Sequence, residues 1–321
     1  MEKKRIAVLT SGGDAPGMNA CIRSVVRTGI YNGFDMIGVV RGYNGLITNE
    51  MIPMDNRSVG NIINRGGTIL RTARCLEFVT EEGQKKALEN IKKNNICGVV
   101  VIGGDGSFKG CRALTQLGVP AIGIPGTIDN DLAYTDFTLG FDTAVNTVLD
   151  AITKIRDTMA SHDRVSIIEV MGNRCGDIAL YTGICGGAEY IIIPELEWSF
   201  EELCEKLETG KKAGKTSSIV VVAEGAAKGA TLAEEIKKRT TMDTRTTVLG
   251  YIQRGGSPSA SDVLLASRFG AHAIELIAKG IGGRCVGIKD NKIFDMDITE
   301  ACAMKKVVKK ELYDIAQILS K

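Results

Sequence analysis

A chain of 321 residues can bury a large core and fits two domains better than one. Its 40 Lys and Arg against 38 Asp and Glu leave a formal charge of +2, so no general field draws it to nucleic acid or a membrane surface. Any anion recognition must come from locally placed arginines, and with aromatic residues at 5% there is no basic run interleaved with rings for stacking on nucleic acid.

The nine cysteines are scattered without a CxxC pair, the pattern of reduced thiols in a cytoplasmic protein, most of them small apolar core residues. His162 and His272 are too few and too distant in sequence to suggest a histidine zinc site. The opening MEKKRIAVLT enters a strand after a few charges, with no apolar stretch and cleavage signal. No run approaches the roughly 20 apolar residues of a membrane span. The expectation is a cytoplasmic enzyme with neither nucleic acid nor membrane as partner.

In chain order, Ile6 to Leu9 reads as a strand followed by TSGGDAPGMNA, then a helix from Met18 to about Tyr31 and a strand from Met36 to Val40. For the SGGD turn alone, ligand contact and a mere tight connection are both open. RGGTILRTAR (Arg65 to Arg74) is either a solvated charged face or a segment with one arginine on a phosphate. Glu81 to Asn94 reads as a polar amphipathic helix. The strand Val99 to Ile102 ends in GGDGS, Phe108 to Leu117 reads as a short helix, and the strand Ala121 to Ile124 ends in PGTIDND. Two parallel strands with a helical crossover bring both turns to the carboxyl edge of one sheet, where open α/β sheets bind ligands. The first turn offers bare amides for phosphate at a helix start; together the turns hold Asp105, Asp129 and Asp131. Amides and carboxylates in one place suggest a magnesium–nucleotide site with a spare base, hence phosphoryl transfer.

Beyond Asp131 a second strand–helix series follows: a helix from about Thr143 to Met159, strands at Val165 to Val170, Tyr190 to Ile193 and Ile219 to Ala223, and helices at Ile178 to Cys185 and Phe200 to Lys211. This predicts a second α/β lobe over about 140–250. GYIQRGGSPSASD could return the chain to the first lobe. Leu264 to Lys279 reads as a helix, GGRCVGI as the start of a late strand, and Met304 to Leu319 as an amphipathic helix with a solvated lysine face.

SGGDAPGMNA, RGGTILRTAR, VVIGGDGS, IGIPGTIDND, EVMG, AEG and GYIQRGGSPSASD stand in an order and spacing that resembles the bacterial ATP-dependent 6-phosphofructokinases, over essentially the full length. The resemblance implies two Rossmann-like three-layer α/β/α lobes with the active site in the cleft between them. The ATP-binding lobe would take 1–139 plus 252–303, and the sugar-phosphate lobe 140–251 plus 304–321. It implies transfer of the ATP γ-phosphoryl group to the 1-hydroxyl of fructose 6-phosphate. Asp129 matches the catalytic base, a role that suits a carboxylate with a reference pKa of about 3.9. Thr127 would hold the sugar end or the transferred group, next to Ile128. Arg74, adjoining Cys75, matches the arginine that stabilises charge on the transferring oxygens; Arg65 and Arg71 stay undecided. Asp105 matches the magnesium carboxylate, Asp131 a nearby electrostatic support, and Gly13, Gly104, Gly106 and Ser107 the nucleotide-phosphate contacts. For the sugar phosphate the matches are Met171 with Gly172, Glu224, Arg164, Arg245 and Arg254. Arg164 and Arg245 match positions that reach a neighbouring subunit's site, which implies a homotetramer with shared active sites. Arg23, Arg27, Arg156, Glu189 and Lys215 resemble an effector site for ADP and phosphoenolpyruvate, although Asn56, Asn61, Ala213 and Ser217 replace polar or charged residues often found there.

Two positions depart from the family pattern in the sugar site. Tyr251 stands where a histidine is usual, and MGN replaces MGR with the arginine one residue on, leaving Asn173 and Arg174 as alternatives. They keep open another sugar phosphate as substrate, such as sedoheptulose 7-phosphate or tagatose 6-phosphate. A non-catalytic nucleotide sensor on the same scaffold is a further alternative, opposed by Asp129, Asp105, Thr127 and Arg74. Pyrophosphate-using relatives carry Asp at the position of Gly106 and Lys at that of Gly126, so the two glycines favour ATP. A carboxylate at 106 would crowd and repel the α-phosphate. Gly106→Asp is therefore expected to weaken ATP use greatly; unchanged steady-state kinetics with ATP would refute this reading of the turn.

Overall fold

The computed structural model describes residues 4–159 and 164–320, so His162 lies outside the described residues. The chain divides into unit 1, made of Met1–Ile128, Leu132–Thr143 and Arg254–Lys305, and unit 2, made of Asp129–Asp131, Ala144–Gln253 and Lys306–Lys321. Unit 1 opens with β1 (Arg5–Thr10), α1 (Met18–Tyr31), β2 (Asp35–Val39), α2 (Tyr43–Thr48) and β3 (Met51–Met54). It continues through α3 (Glu81–Lys93), β4 (Ile96–Gly103), α4 (Asp105–Gln116) and β5 (Ala121–Pro125). The division splits α5 (Phe141–Met159) after Thr143. Unit 2 holds β6 (Val165–Val170), α6 (Asp177–Cys185), β7 (Tyr190–Ile192), α7 (Phe200–Lys212), β8 (Ser218–Ala223), α8 (Gly229–Thr240) and β9 (Thr244–Val248). The chain then gives unit 1 α9 (Ala260–Ala278), β10 (Arg284–Lys289), β11 (Lys292–Asp297) and α10 (Ile298–Ala303), and ends in unit 2 with α11 (Lys310–Leu319).

The strands of unit 1 form a seven-stranded sheet in the order β11-β10-β5-β4-β1-β2-β3. Its inner pairs are parallel, and the β2/β3 and β10/β11 pairs at its edges are antiparallel. The near-continuous apolar run ICGVVVIG suits β4, since a parallel strand is covered on both faces. Alternation along β1 shows both covers. Ala7 and Leu9 join a core with Leu46 of α2, Ile91 of α3, Leu114 of α4 and Ile298 of α10. Ile6 and Val8 point the other way and are equally buried. On that side α1 and α9 pack on one another and on the sheet. Unit 2 is a four-stranded, all-parallel sheet in the order β7-β8-β6-β9. Val165, Ile167, Val220 and Val222 pack there against Leu203 and Leu207 of α7 and Ile236 of α8. Among the described residues no helix is long and apolar enough to cross a membrane.

Three helices start elsewhere than expected, among them α9, which begins at Ala260 rather than Leu264 because the Ser259 hydroxyl caps it. The sequence predicts a helix from Phe108, but α4 starts at Asp105, because extended Gly104 is its N-cap and accepts the Phe108 amide at 3.1 Å. The GGDGS motif thus runs from the end of β4 through the N-cap into the first helical turn, where the Asp105 and Gly106 amides have no acceptor within the helix. The helix expected from Met304 starts only at Lys310: Lys306 bonds Asp177 at 3.2 Å, Lys309 reaches the Tyr181 hydroxyl at 2.8 Å, and the stretch between α10 and α11 is irregular. Elements α2, β3, α8, β9, β11 and α10 were not foreseen.

One buried carboxylate joins two helix starts in unit 1. Asp262, in the first turn of α9, accepts bonds from the amides of Gly140 (2.9 Å) and Thr143 (2.8 Å) and from Thr143 Oγ1 (2.5 Å). In return, Thr143 Oγ1 accepts the Ser259 amide at 2.9 Å and Asp142 accepts the Ser259 hydroxyl at 2.5 Å. Burial pushes the Asp262 carboxyl above its ordinary value, against the lowering pull of the Thr143 and Gly140 bonds. Truncation would leave these donors without an acceptor in a dry site. Asp262→Ala is expected to destabilise unit 1 by roughly 3 kcal/mol, read as a lower midpoint in chemical denaturation; an unchanged midpoint would remove this role.

Candidate active site

Neighbouring strand ends of unit 1 carry the expected nucleotide residues. Thr10, the last residue of β1, stands opposite Ile102 of β4, and Gly103 stands opposite Pro125 of β5. The three turns after these strands therefore start at one level. The RGGTILRTAR segment is stapled to the first of them. Thr10 Oγ1 donates to the Arg71 carbonyl (2.9 Å), Asn19 Nδ2 to the Arg65 carbonyl (2.9 Å), and the Ile69 amide to Asn19 Oδ1 (2.8 Å). Arg71 takes a left-handed φ of 58°, and Arg65, Arg71 and Arg74 are all exposed. Cys75 is half-buried and packs on the core. Arg254 donates to the Asp14 carbonyl at 3.2 Å, close above Gly13.

Within GGDGS, Ser107 is buried and its carbonyl accepts the Tyr43 hydroxyl at 2.6 Å. Tyr43 stacks on Phe78 with ring centroids 4.4 Å apart. Sequence reading missed Tyr43, since the short α2 leaves little periodic signal. Gly106 is exposed, and a Cβ there would meet nothing within 4 Å, so the chain itself would accept a side chain. A substitution there meets no clash within the chain. Thr127 is buried, and its carbonyl accepts the Thr138 hydroxyl at 2.6 Å, while Gly126 bridges Leu139.

Asp105 projects from the start of α4 with its side chain 47% exposed, and Lys109 approaches its Oδ2 at 2.7 Å. No group of three or more His, Cys, Asp or Glu that could hold a metal occurs among the described residues. An all-protein cage is thus not offered. A single accessible carboxylate beside helix-start amides fits magnesium, which is commonly held by one or two carboxylates together with the phosphates of a substrate.

In unit 2, Asp129 is buried and directly precedes Asn130, which is left-handed at φ 51°. After β6, the Met171 amide donates to Gln253 Oε1 (3.1 Å) and the Asn173 amide to Glu224 Oε1 (3.1 Å). Asn173 is left-handed at φ 53°, and both Asn173 and Arg174 are exposed. Gly172 and Cys175 close that turn by a backbone bond of 2.8 Å. A side chain on Gly225 would collide with the Asn173 carbonyl, so the AEG glycine allows the two turns to approach. Arg164 and Arg245 share one carboxylate, Asp243, at 2.6 and 3.3 Å. The hydrogen bond from Arg164 holds the Asp243 carboxyl below its ordinary value, opposed by burial and aided by Arg245. Sequence reading missed this partner. Tyr251 lies in a short 3-10 turn and is 84% exposed.

Of the expected effector residues, Arg23 and Arg27 lie on α1 in unit 1, half-buried and exposed respectively. In unit 2, Lys215 faces Glu189 at 3.5 Å, Glu189 also accepts the Ile219 amide, and Arg156 donates to the carbonyls of Gly186 and Gly187. A cavity of about 270 Å³ in unit 2 is lined by both Arg164 and Lys215. Another of about 370 Å³ in unit 1, lined by Phe137, Leu264 and Arg268, holds none of the expected site residues.

The phosphofructokinase family model matches residues 5–277. An ATP-dependent 6-phosphofructokinase of Clostridium botulinum is 59% identical over 318 residues, covering 99% of this chain and 100% of that protein. Among solved structures, Saccharomyces cerevisiae phosphofructokinase aligns with a TM-score of 0.90 at 33% identity, and the Pichia pastoris enzyme with 0.88 at 32%. Each alignment covers 99% of this chain but only 48% and 39% of those longer yeast chains. Family model, near-complete alignment and shared fold agree: this chain belongs to the phosphofructokinase family.

Proposed function

We propose that this chain transfers the γ-phosphoryl group of ATP to the 1-hydroxyl of fructose 6-phosphate, giving fructose 1,6-bisphosphate and ADP. The carrying observation is the exit of GGDGS and of the turn bearing Thr127 from adjacent strand ends, with Asp129 two residues further along. The amides at the start of α4 bind phosphate oxygens, and exposed Gly106 leaves room for the α-phosphate. Asp129 accepts the hydroxyl proton as the sugar oxygen attacks phosphorus, while Thr127 orients the reacting groups. Arg74 meets the charge on the transferring oxygens. Magnesium, when bound, neutralises the β- and γ-phosphates; Asp105 is the protein carboxylate that would hold it.

The sugar phosphate falls to Arg254, Arg164 and Arg245, and the ring hydroxyls to Glu224 and the turn Met171–Arg174. Asp243 holds two of these arginines in place. Exposed Val248, Tyr251 and Ile252 adjoin them in sequence. A surface of this kind suits a second copy, and supports a cytoplasmic homotetramer in which Arg164 and Arg245 serve a neighbouring site. Exposed Tyr251 and left-handed Asn173 favour, as the second reading, the same chemistry on another sugar phosphate.

A coupled assay across fructose 6-phosphate, sedoheptulose 7-phosphate and tagatose 6-phosphate, with ATP and pyrophosphate as donors, tests this assignment. The highest kcat/KM is expected for ATP with fructose 6-phosphate. Asp129→Asn should cost about 10²–10⁴-fold in kcat while leaving ligand binding intact; a nucleotide sensor would barely change. For regulation through Arg23, Arg27, Arg156, Glu189 and Lys215, phosphoenolpyruvate should shift fructose 6-phosphate saturation to higher concentration and ADP should oppose it. Superimposable curves would remove the effector site.

A further inference from the structure

Asn130 is the residue between Asp129 and Asp131, fully buried and in the left-handed conformation that disfavours side chains. Asparagine tolerates that conformation better than most side chains, so the partner of its amide is what fixes it here. Its Nδ2 donates to Asp177 Oδ2 at 2.7 Å. Asp177 is the first residue of α6 and is 2% exposed, so its charge is compensated locally. One compensation is the helix N-terminus. The other is Lys306, whose Nζ lies 3.2 Å from the same oxygen with its side chain only 15% exposed. All three residues belong to unit 2.

We propose that the Lys306–Asp177 pair is a positioning device for the phosphoryl-transfer turn. The ammonium fixes the Asp177 carboxylate, the carboxylate fixes the Asn130 amide, and the Asn130 backbone sets the direction of the adjacent Asp129 carboxylate. A residue of the irregular C-terminal stretch thereby acts on the proton acceptor through one partly buried ion pair and one buried hydrogen bond. This rests on Asp129 being the base. The competing account is that the pair only anchors the C-terminal stretch to α6.

A double-mutant cycle on the full chain separates the two. Asn130→Gly removes the amide and keeps the backbone, since glycine takes the left-handed conformation without strain. Lys306→Met removes the charge and keeps the stem. Each should lower kcat by about tenfold, the loss of one charge-assisted contact, with KM for ATP and fructose 6-phosphate nearly unchanged. The double variant should fall no further than the worse single one, and Lys306→Arg should retain most of the rate. An unchanged kcat in either single variant, or losses that multiply in the double, would overturn the proposal. Should Lys306→Met fail to fold, Asp177→Asn takes its place in the cycle with the same two outcomes. An inactive wild-type chain would overturn the kinase reading instead, and the wild-type arm reads that separately.

Discussion

The parallel pairing of β1, β4 and β5 is the constraint on which the rest of unit 1 depends. Parallel strands end at the same edge, and the observed register puts Thr10 opposite Ile102, Ile102 opposite Ile124 and Gly103 opposite Pro125. Three turns of different chemistry therefore begin side by side: SGGD, GGDGS and the one with Thr127. Each strand is covered on both faces, so a slip of one residue would exchange buried for buried and cost packing everywhere at once. The apolar strands thus hold the register, and the polar turns inherit their alignment from it. The same edge bears on the RGGTILRTAR staples, because Thr10 ends β1 and Asn19 stands in the first turn of α1, the helix that follows.

Unit 2 uses the same device with other groups. Val170 of β6 lies opposite Ala223 of β8, so the turn with Asn173 and the turn with Glu224 begin together and join through the Asn173 amide. Unit 1 offers amides and one half-exposed carboxylate, which suits a polyphosphate carrying a hard cation. Unit 2 offers arginines held by Asp243 and side-chain acceptors, which suits a phosphate ester with hydroxyl groups.

How much of this is legible in sequence follows from what each feature depends on. Strands β1, β4, β5, β6 and β8 are short, dense apolar runs bounded by glycine turns, and their existence and order are readable locally. The start of α4 is not, because the glycine turn runs straight into the helix cap and first helical turn. Strand β9, TRTTV, is polar and half-exposed, without the alternation that marks a strand. Partners at long separation leave no local trace. Asp243 meets Arg164 across 79 positions, and Tyr43 reaches Ser107 across 64. Lys306 looks like one lysine in a solvated basic stretch until its buried carboxylate partner is known.

Asn130 shows why such distant partners matter more than their number suggests. On one side of Asp129, Thr127 is held through its carbonyl by Thr138; on the other, Asn130 is held through its amide by Asp177. Asp129, the base of the proposed mechanism, is therefore on a short span of chain held by one bond at Thr127 and another at Asn130. Proton transfer requires placement to within a few tenths of an ångström, and a misplacement of about 1 Å can cost roughly a hundredfold in rate. The local motif PGTIDND specifies which groups are present. Its partners lie outside the motif: Thr138 on the Thr127 carbonyl, and Asp177, itself paired with Lys306, on the Asn130 side-chain amide.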